Sequence, residues 1–352
     1  MDAFNKFFVG ILSELIRVPA PPGREEMIAE VIRGKIAAFG MESETDASGN
    51  VLVRFGCQDT AKPKTILAAH MDEVAMVVTA IEESGNLRVA PSGGLHPCKL
   101  GECQVVIMTD NDKTVSGLFS MGSAHAKAAG NGVWAPDWHG VRIITGLSPQ
   151  ELKAAGVRPG SSAVPVKEGR GPYVFGRKSS PLISAWSFDD RAGVAVLLLL
   201  LKMLKERDFC PSSPLIVAFT VHEEGGCYGA RAMALREKPE IFIAVDGCAI
   251  TDQTVLKLDG RPGIWSKDAV CNYDQRLIRD LLESARESDT ELQPVVYEKS
   301  FSDASAICQA GAAARVAVLG HVCQNSHGFE LARLSVFENV MQTILNYTEK
   351  HC

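Results

Sequence analysis

Strand-like and helix-like segments alternate along the second half of the chain, and this alternation restricts the possible folds more than any other feature. After Pro181 the order is helix, strand, helix, strand, helix, strand and a terminal helix. The segments are RAGVAVLLLLLKMLKE, PLIVAFTV, GGCYGARAMALREK, EIFIAVD, YDQRLIRDLLESARES, ARVAVLG and ELARLSVFENVMQTILNYTEK. Alternation of this kind predicts a largely parallel sheet with helices on both faces. We therefore expect an α/β fold with a mostly parallel central sheet flanked by helices.

The segment 76–178 has a different composition from both of its flanks. It carries short β-rich runs separated by turns that contain Gly, Pro and Asn-Asp pairs, which is the pattern of a small all-β unit. Examples are AMVVTAI, CQVVIMT, VRIITG and SSAVPV. Strand-like segments also precede it, namely NVLVRF and KTILAAH. We therefore expect a small β-barrel-like domain, 76–178, to be inserted into one α/β domain made of 1–75 and 179–352.

The overall charge and composition argue against several classes of partner. The 352 residues have a formal net charge of -6 and no run of Lys or Arg longer than a pair, so neither nucleic acid nor a membrane is indicated. The most apolar run, GVAVLLLLLKML, is too short to span a bilayer. The N-terminal segment suits an amphipathic helix better than a signal peptide. We expect a cytoplasmic protein whose ten scattered cysteines are reduced thiols.

Acids or a histidine follow several of the predicted strands. The pairs are His70 and Asp72 in TILAAHMD, Asp189 and Asp190 in SAWSFDDRAG, Glu223 and Glu224 in LIVAFTVHEEGG, with Asp246 in IFIAVDG and His327 beyond ARVAVLG. A single acid in such a place is commonly a helix cap or a solvated turn. Because the carboxyl ends of the strands in an open α/β sheet line one crevice, we expect these groups to converge. Histidines and carboxylates without cysteine suit zinc, cobalt or manganese.

The same motifs, in this order, resemble those of the tetrahedral (TET) aminopeptidases, the glutamyl and deblocking aminopeptidase-like dinuclear metallopeptidases. The matching segments are HMDEVAM, FDDRAG, EEGGCYGA, the VD pair that ends at Asp246, and a late histidine. PAPPGREE near the start and GVRPGSSAVP near the end of the β-rich segment add to the resemblance. It spans nearly the whole chain. It implies a zinc-exopeptidase-like fold and a metal-dependent hydrolase that removes N-terminal residues from short peptides.

The resemblance also implies a role for each motif residue. The implied metal ligands are His70, Asp189, Glu224, Asp246 and His327. Asp189 would bridge two divalent cations, with zinc or cobalt favoured over manganese, and its peptide bond to Asp190 would be cis. Asp72 would orient the imidazole of His70, and Glu223 would be the general base.

Two features near the end of the chain leave alternatives open. VCQNSHGFELARL departs from the family pattern, in which Arg-Tyr precedes the histidine and Ser-Pro follows it. His321 is therefore an alternative ligand to His327, although its position favours the end of a strand. Ser302 and Asp303, in the segment SFSDASAICQAG, are candidates for the specificity pocket.

The remaining histidines and two tryptophans are not assigned to the site. We expect structural roles for His222, His96, His139 and His125, although His125 could also face the site from a neighbouring subunit. Trp134 and Trp138 lie in the loop AGNGVWAPDWHG, where a packed hairpin and an oligomer contact both stay open.

The expected function is metal-dependent aminopeptidase action on short peptides. The resemblance implies a homo-oligomer, with dimers formed through the inserted domain and assembled into a hollow dodecamer. The nearest alternative is a dipeptidase or N-acyl amino-acid hydrolase that uses the same metal pair, and another is an assembled scaffold without activity. A link of this family to cellulose breakdown is a further alternative, although glycoside hydrolysis uses two facing carboxylates without metal.

Overall fold

The structure is a computed structural model that describes residues 3–56, 62–123 and 136–352. The described helices are α1 (Ala3–Leu15), α2 (Glu26–Ala38), α3 (Pro97–Leu100), α4 (Pro149–Ala154), α5 (Phe188–Glu206), α6 (Tyr228–Glu237), α7 (Gln275–Glu287), α8 (Asp303–Ala310) and α9 (Ser335–His351). A helix that could cross a bilayer is absent from these described segments. Trp134 and His125 lie outside the described residues.

The strands of the α/β part form two sheets, and those between them in sequence form a barrel. The first strands are β1 (Glu44–Thr45), β2 (Val51–Phe55) and β3 (Thr65–His70). The barrel strands are β4 (Ala75–Ile81), β5 (Leu87–Ser92), β6 (Cys103–Met108), β7 (Thr114–Ser120), β8 (Arg142–Ile144) and β9 (Ser162–Pro165). The later strands are β10 (Tyr173–Arg177), β11 (Ser180–Trp186), β12 (Leu215–Thr220), β13 (Ile241–Val245), β14 (Cys248–Ala249), β15 (Gly263–Lys267), β16 (Gln293–Val296), β17 (Arg315–Gly320), β18 (Val322–Gln324) and β19 (Phe329–Arg333).

The main sheet has eight strands in the order β1-β2-β12-β3-β13-β17-β15-β16. Its four central strands, β12, β3, β13 and β17, are mutually parallel, whereas β2 and β15 join them antiparallel. Every residue of β3, β12 and β13 is buried, as expected for strands with helices on both faces. Helices α1, α2, α5, α7 and α9 form one packed group, and α6 and α8 form another. The predicted mostly parallel sheet flanked by helices is confirmed.

A second sheet, β10-β11-β19-β18-β14, corrects the prediction that ELAR belongs to the terminal helix. Phe329–Arg333 is a strand that pairs antiparallel with β11, from Leu182 opposite Arg333 to Trp186 opposite Phe329. The terminal helix therefore begins only at Ser335. Local helix propensity is a weak preference, and pairing with a distant strand overrides it here.

Strands β4 to β9 close into a barrel in the order β4-β5-β8-β7-β6-β9, which confirms the predicted inserted β-barrel-like unit. The barrel has its own apolar core, and Trp138 packs against it beside Phe119. Tyr173–Arg177 falls inside the predicted segment 76–178 but pairs with β11 of the second sheet. The exact division into 1–75 with 179–352 and 76–178 stays a prediction.

One pair of cysteines corrects the expectation that all ten are reduced thiols. Cys271 and Cys308 form a disulfide, with their Cα atoms 6.3 Å apart. The bond joins the loop after β15 to helix α8. The two residues are separated by 37 positions, so their proximity depends on the tertiary fold and not on any local cysteine motif.

Candidate metal centre

Three of the predicted segments meet at one edge of the main sheet. His70 is the last residue of β3, Asp246 directly follows β13, and Glu223 and Glu224 lie in the turn after β12. Because β12, β3 and β13 are adjacent and parallel, their carboxyl ends bring these side chains together.

The other two predicted ligands arrive from the second sheet, which corrects the expectation that they follow strands of the parallel sheet. Asp189 comes after β11, and His327 lies in the turn between β18 and β19. Strands β14 and β18 are short continuations of the chain beyond β13 and β17, and they pair with each other. The second sheet is thus built onto the carboxyl edge of the first, and this placement carries Asp189 and His327 to the crevice.

The converged side chains form two groups with metal-binding geometry. One group is His70, Asp189 and Asp246, the other is Asp189, Glu224 and His327, and the candidate ligand atoms of each group lie within 4.8 Å of one another. His70 Nε2 is 2.8 Å from Asp189 Oδ1, and His327 Nε2 is 3.6 Å from Asp189 Oδ2. We call these groups donor sets 1 and 2. They share Asp189, which offers one carboxylate oxygen to each.

The charges of the site favour cations. Burial raises the pKa of Glu224 to about 7 and that of Asp246 to about 8, and the charge of Asp189 adds to both shifts. Burial also raises the pKa of Glu223 well above its ordinary value. Buried carboxylates outnumber the two imidazoles, so divalent cations would balance the excess negative charge. Imidazole and carboxylate donors without thiolate fit zinc, cobalt or manganese.

The two imidazoles and Asp189 stabilise one another's charged forms. Burial opposes protonation of His327, but its hydrogen bond to Asp189 and the charge of Glu224 raise its pKa to about 11. Burial likewise opposes ionisation of Asp189, yet hydrogen bonds from His327 and His70 hold its pKa well below the ordinary value. A bound cation would take the place of these protons, because histidine ligands bind metals in their neutral form.

Asp72 lies beneath both donor sets and contacts more groups than expected. Its Oδ1 is 3.3 Å from His70 Nδ1. Its two carboxylate oxygens accept the backbone N–H groups of Glu223 and Glu224, each at 3.0 Å. Asp72 therefore positions the turn after β12, and its orienting of the His70 imidazole stays a prediction.

Glu330 is a site residue that the sequence reasoning missed. Its Oε2 accepts the backbone N–H of Asp189 at 2.7 Å, and its Oε1 accepts that of His327 at 3.3 Å. Burial, followed by the charge of Asp189, raises the pKa of this carboxyl to about 8. Nothing in the segment FELAR predicts this inward-facing acid, because strand alternation would turn the apolar Phe329 and Leu331 inward, whereas Glu330 is the buried residue.

Glu73, also missed, links the barrel segment to the α/β part. Its carboxylate is completely buried and accepts hydrogen bonds from Arg170 at 2.9 Å, Trp186 Nε1 at 2.9 Å and Ser187 Oγ at 2.8 Å. It also accepts the backbone N–H of Ala20 at 3.0 Å. The sequence predicts no role for Glu73 beyond its place in the motif HMDE, because the partners of its side chain are remote in sequence.

The alternative histidines among the described residues belong to neither donor set. His321 is buried at the end of β17 between the rings of Phe188 and Phe337, and burial lowers its pKa to about 4. His222 Nε2 is 4.0 Å from Glu25 Oε1. His96 precedes α3 and His139 lies in an exposed turn.

A cavity of about 420 Å³ opens beside the donor sets. Besides the acids, its wall includes Trp265, Tyr297, Lys299 and Phe301. Ser302 and Asp303 were the predicted pocket residues, but both are buried below the wall, where Ser302 caps α8. The residues just before them in sequence line the cavity instead.

Comparison with known proteins agrees with this geometry. The M42 glutamyl aminopeptidase family matches residues 49–342, and the chain belongs to this family of peptidases. The resemblance to the TET aminopeptidases is thereby confirmed. The glutamyl aminopeptidase of Lactococcus lactis is 27% identical over 268 residues, which cover 75% of this chain and 71% of the relative.

Solved structures of similar proteins share the fold along nearly the whole chain. The TET1 peptidase of Pyrococcus horikoshii, described as assembling into a tetrahedron or a large octahedral shell, is 26% identical with a TM-score of 0.84, and the match covers 97% of this chain and 99% of that one. A TET aminopeptidase from a marine sediment archaeon of the Thaumarchaeota has a TM-score of 0.88 over 99% and 98% of the two chains. Its 21% identity bears on the fold alone.

Proposed function

We propose that the protein is a metal-dependent aminopeptidase that removes single N-terminal residues from short peptides. The observation that carries this proposal is the sharing of Asp189 by two donor sets at the wall of an open cavity, with Glu223 beside them. His70, Asp189 and Asp246 would hold one cation, and Asp189, Glu224 and His327 the other. Zinc or cobalt are the favoured ions and manganese is the alternative.

The site residues divide the chemistry of peptide hydrolysis among them. A divalent cation supplies polarisation of the scissile carbonyl and lowers the pKa of water. Glu223 lines the cavity with its Oε2 3.9 Å from His70 Nε2, so its carboxylate can accept the proton of the attacking water. The same carboxyl then donates the proton to the leaving amine. Asp72 and Glu330 hold the backbone of the turns that carry these groups.

The donor sets explain why cleavage would be confined to the first residue. Asp189, Glu223, Glu224 and Asp246 all line the cavity, and cations held by the donor sets would accept the lone pair of a free α-amine at a peptide N-terminus. The acylated nitrogen of an N-acylated peptide has no such lone pair to give. A preference for free amines therefore separates an aminopeptidase from an N-acyl amino-acid hydrolase.

Chelation and restoration of metal test this function. Protein treated with a chelator should lose peptide hydrolysis, and added zinc, cobalt or manganese should restore it. Restored protein should release the first residue of free-amine tripeptides and longer peptides and leave their N-acylated forms intact. Cleavage of dipeptides alone would support a dipeptidase, and cleavage of the acylated forms would support an N-acyl amino-acid hydrolase. Absence of any hydrolysis would support a scaffold without activity. Each of these three results would contradict the proposal. Metal-independent cellulose cleavage would also contradict it.

Lys299 indicates a preference for acidic N-terminal side chains. It is the lysine that lines the cavity, and apart from the acids and His327 the other lining residues are aromatic or small. Lys299→Gln should lower kcat/KM for N-terminal Glu peptides by about fivefold relative to N-terminal Leu peptides, as for loss of one partly screened ion pair. Lys205→Gln, an exposed lysine of α5, is the matched control. An unchanged ratio of the two kcat/KM values in Lys299→Gln would contradict this preference.

We further propose a homo-oligomer in the cytoplasm, with 1–75 and 179–352 as the catalytic domain and 76–178 as the assembly domain. Leu118 and Ile144 support this role, because they lie opposite each other on β7 and β8 of the barrel and are both exposed, at 45% and 44%. The assembly of the TET1 peptidase into closed shells supports dimers that build a dodecamer here. Such a shell would restrict access to short peptides.

A further inference from the structure

Cys227 is a buried thiol in direct contact with the proposed general base. It is 1% exposed and lies just before helix α6, at the end of the turn that begins at Glu223. Its Sγ is 3.4 Å from Glu223 Oε1, within the range of a hydrogen bond that involves sulfur. The backbone N–H of Cys227 also donates to the carbonyl oxygen of Glu223 at 3.0 Å. The thiol and the carboxylate therefore belong to one tightly folded turn.

The two oxygens of Glu223 face different surroundings. Oε1 points to Cys227, whereas Oε2 points to the donor sets and is 3.9 Å from His70 Nε2. Rotation about the last bond of the glutamate would exchange the two oxygens or turn both away from the cavity. A hydrogen bond to Oε1 restricts this rotation and keeps Oε2 toward the place where the attacking water would be deprotonated.

A second carboxylate fixes the other side of the thiol. Asp303 is 3% exposed, and its Oδ2 accepts a hydrogen bond from Thr220 Oγ1 at 2.6 Å. Its Oδ1 has no hydrogen-bond partner among the described residues. Burial, together with the charges of Glu223 and Asp303, raises the pKa of the Cys227 thiol, so the thiol keeps its single proton for Glu223. The thiol thus lies between a carboxylate that is anchored to β12 and the carboxylate that faces the cavity.

We propose that Cys227 is a positioning residue for Glu223, whose S–H donates to Oε1 and holds Oε2 toward the two donor sets. This inference rests on the proposed role of Glu223 as general base. A thiol is a weak donor, so it orients the carboxylate while removing little of its basicity. A cysteine that only filled space would make no directional contact with Glu223, and its replacement would act on stability alone.

Steady-state kinetics of the metal-loaded protein distinguish a Cys227 that positions Glu223 from a Cys227 that only fills space. Cys227→Ala should lower kcat by about tenfold with KM and bound metal unchanged, because Glu223 loses its orientation but not its charge. Cys227→Ser, which keeps a donor at this place, should recover most of the lost kcat. Cys352→Ala removes a buried thiol far from the site and should behave as the parent protein. A parental kcat in Cys227→Ala, or a serine variant no better than the alanine one, overturns the proposal.

The S–H stretching vibration of the zinc-loaded protein gives a readout that does not depend on turnover. The Raman difference between the parent and Cys227→Ala isolates this band, which should lie at a lower frequency than the band isolated with Cys352→Ala. Glu223→Gln should move it toward higher frequency, since a neutral amide oxygen is a weaker acceptor than a carboxylate. A band whose frequency is the same in Glu223→Gln as in the parent would contradict the proposed hydrogen bond. If the parent protein hydrolyses no peptide, the proposed function fails while this band still tests the contact.

Discussion

Replacing Glu223 with Gln should lower kcat for peptide hydrolysis by between about 10² and 10⁴-fold, the range expected for loss of a general base. The amide cannot accept the proton of the attacking water, but it has nearly the shape of the carboxylate. Glu223 is not a member of either donor set, so the variant should retain the metal content of the parent. The measurement is kcat together with metal bound per chain, on the same preparations.

Glu83→Gln provides the control for this substitution. Glu83 is an exposed acid in the inserted barrel segment, and its amide variant should keep the parental kcat. A Glu223→Gln protein that hydrolyses peptides at nearly the parental rate would remove Glu223 from the role of base. A variant that loses both its activity and its metal would instead make Glu223 a ligand.

Replacing Glu73 with Ala should lower the free energy of unfolding by about 3–5 kcal/mol, the cost of leaving a buried charge without its partner. Arg170 and Arg191 are completely buried, with guanidinium nitrogens 2.9 and 3.7 Å from Glu73 Oε1. Although burial opposes ionisation of Glu73, the charges of these two arginines hold its pKa below the ordinary value. Without Glu73 both guanidinium groups would stay in the interior, between the barrel and the α/β part, without the carboxylate that they share, and only Arg191 would still feel the charges of Asp72 and Glu25.

Denaturant unfolding of metal-free protein measures this effect, and an exposed ion pair is the matched control. Glu14 forms a 2.7 Å contact with Lys35, but 65% of its side chain is exposed, so Glu14→Ala should cost less than about 1 kcal/mol. Glu73→Gln keeps the shape of the side chain and one acceptor oxygen but loses the charge, so its loss of stability should lie between those of the two alanine variants. Equal midpoints for Glu73→Ala and Glu14→Ala would show that burial does not strengthen the Glu73 cluster.

Local pattern predicted the main sheet because its strands and helices are long and alternate in order. Local pattern does not predict the second sheet, because β11 and β19 are separated by more than 140 positions and pair only in the folded chain. The sequence between Phe329 and Ser335 contains no glycine or proline that would separate a strand from the following helix. The segment ELAR is therefore predicted as the start of the helix, and the sequence does not predict the contacts of Glu330 with Asp189 and His327.

The sequence likewise predicts the site residues carried by the main sheet better than those carried by the second sheet. The rule of strand carboxyl ends places His70 and Asp246 together with the turn after β12, because these strands are neighbours in the parallel sheet. Asp189 and His327 were also expected at strand ends of the parallel sheet, but they reach the site through the second sheet, which the strand pattern does not predict. The contacts of Cys227 with Glu223 and of Cys271 with Cys308 depend on side-chain packing, and the spacing of these residues in the sequence does not predict them.

Two cation sites that share Asp189 should bind two divalent ions per chain, and a count of bound metal tests this most directly. Metal-free protein would be titrated with zinc, washed free of excess ion, and its zinc per chain determined by elemental mass spectrometry, beside Asp189→Asn. We expect two ions in the parent and a loss from both sites in the variant, because each donor set loses a charged oxygen. A parent chain that binds one ion or none, or an Asp189→Asn chain that retains two, would contradict the shared centre.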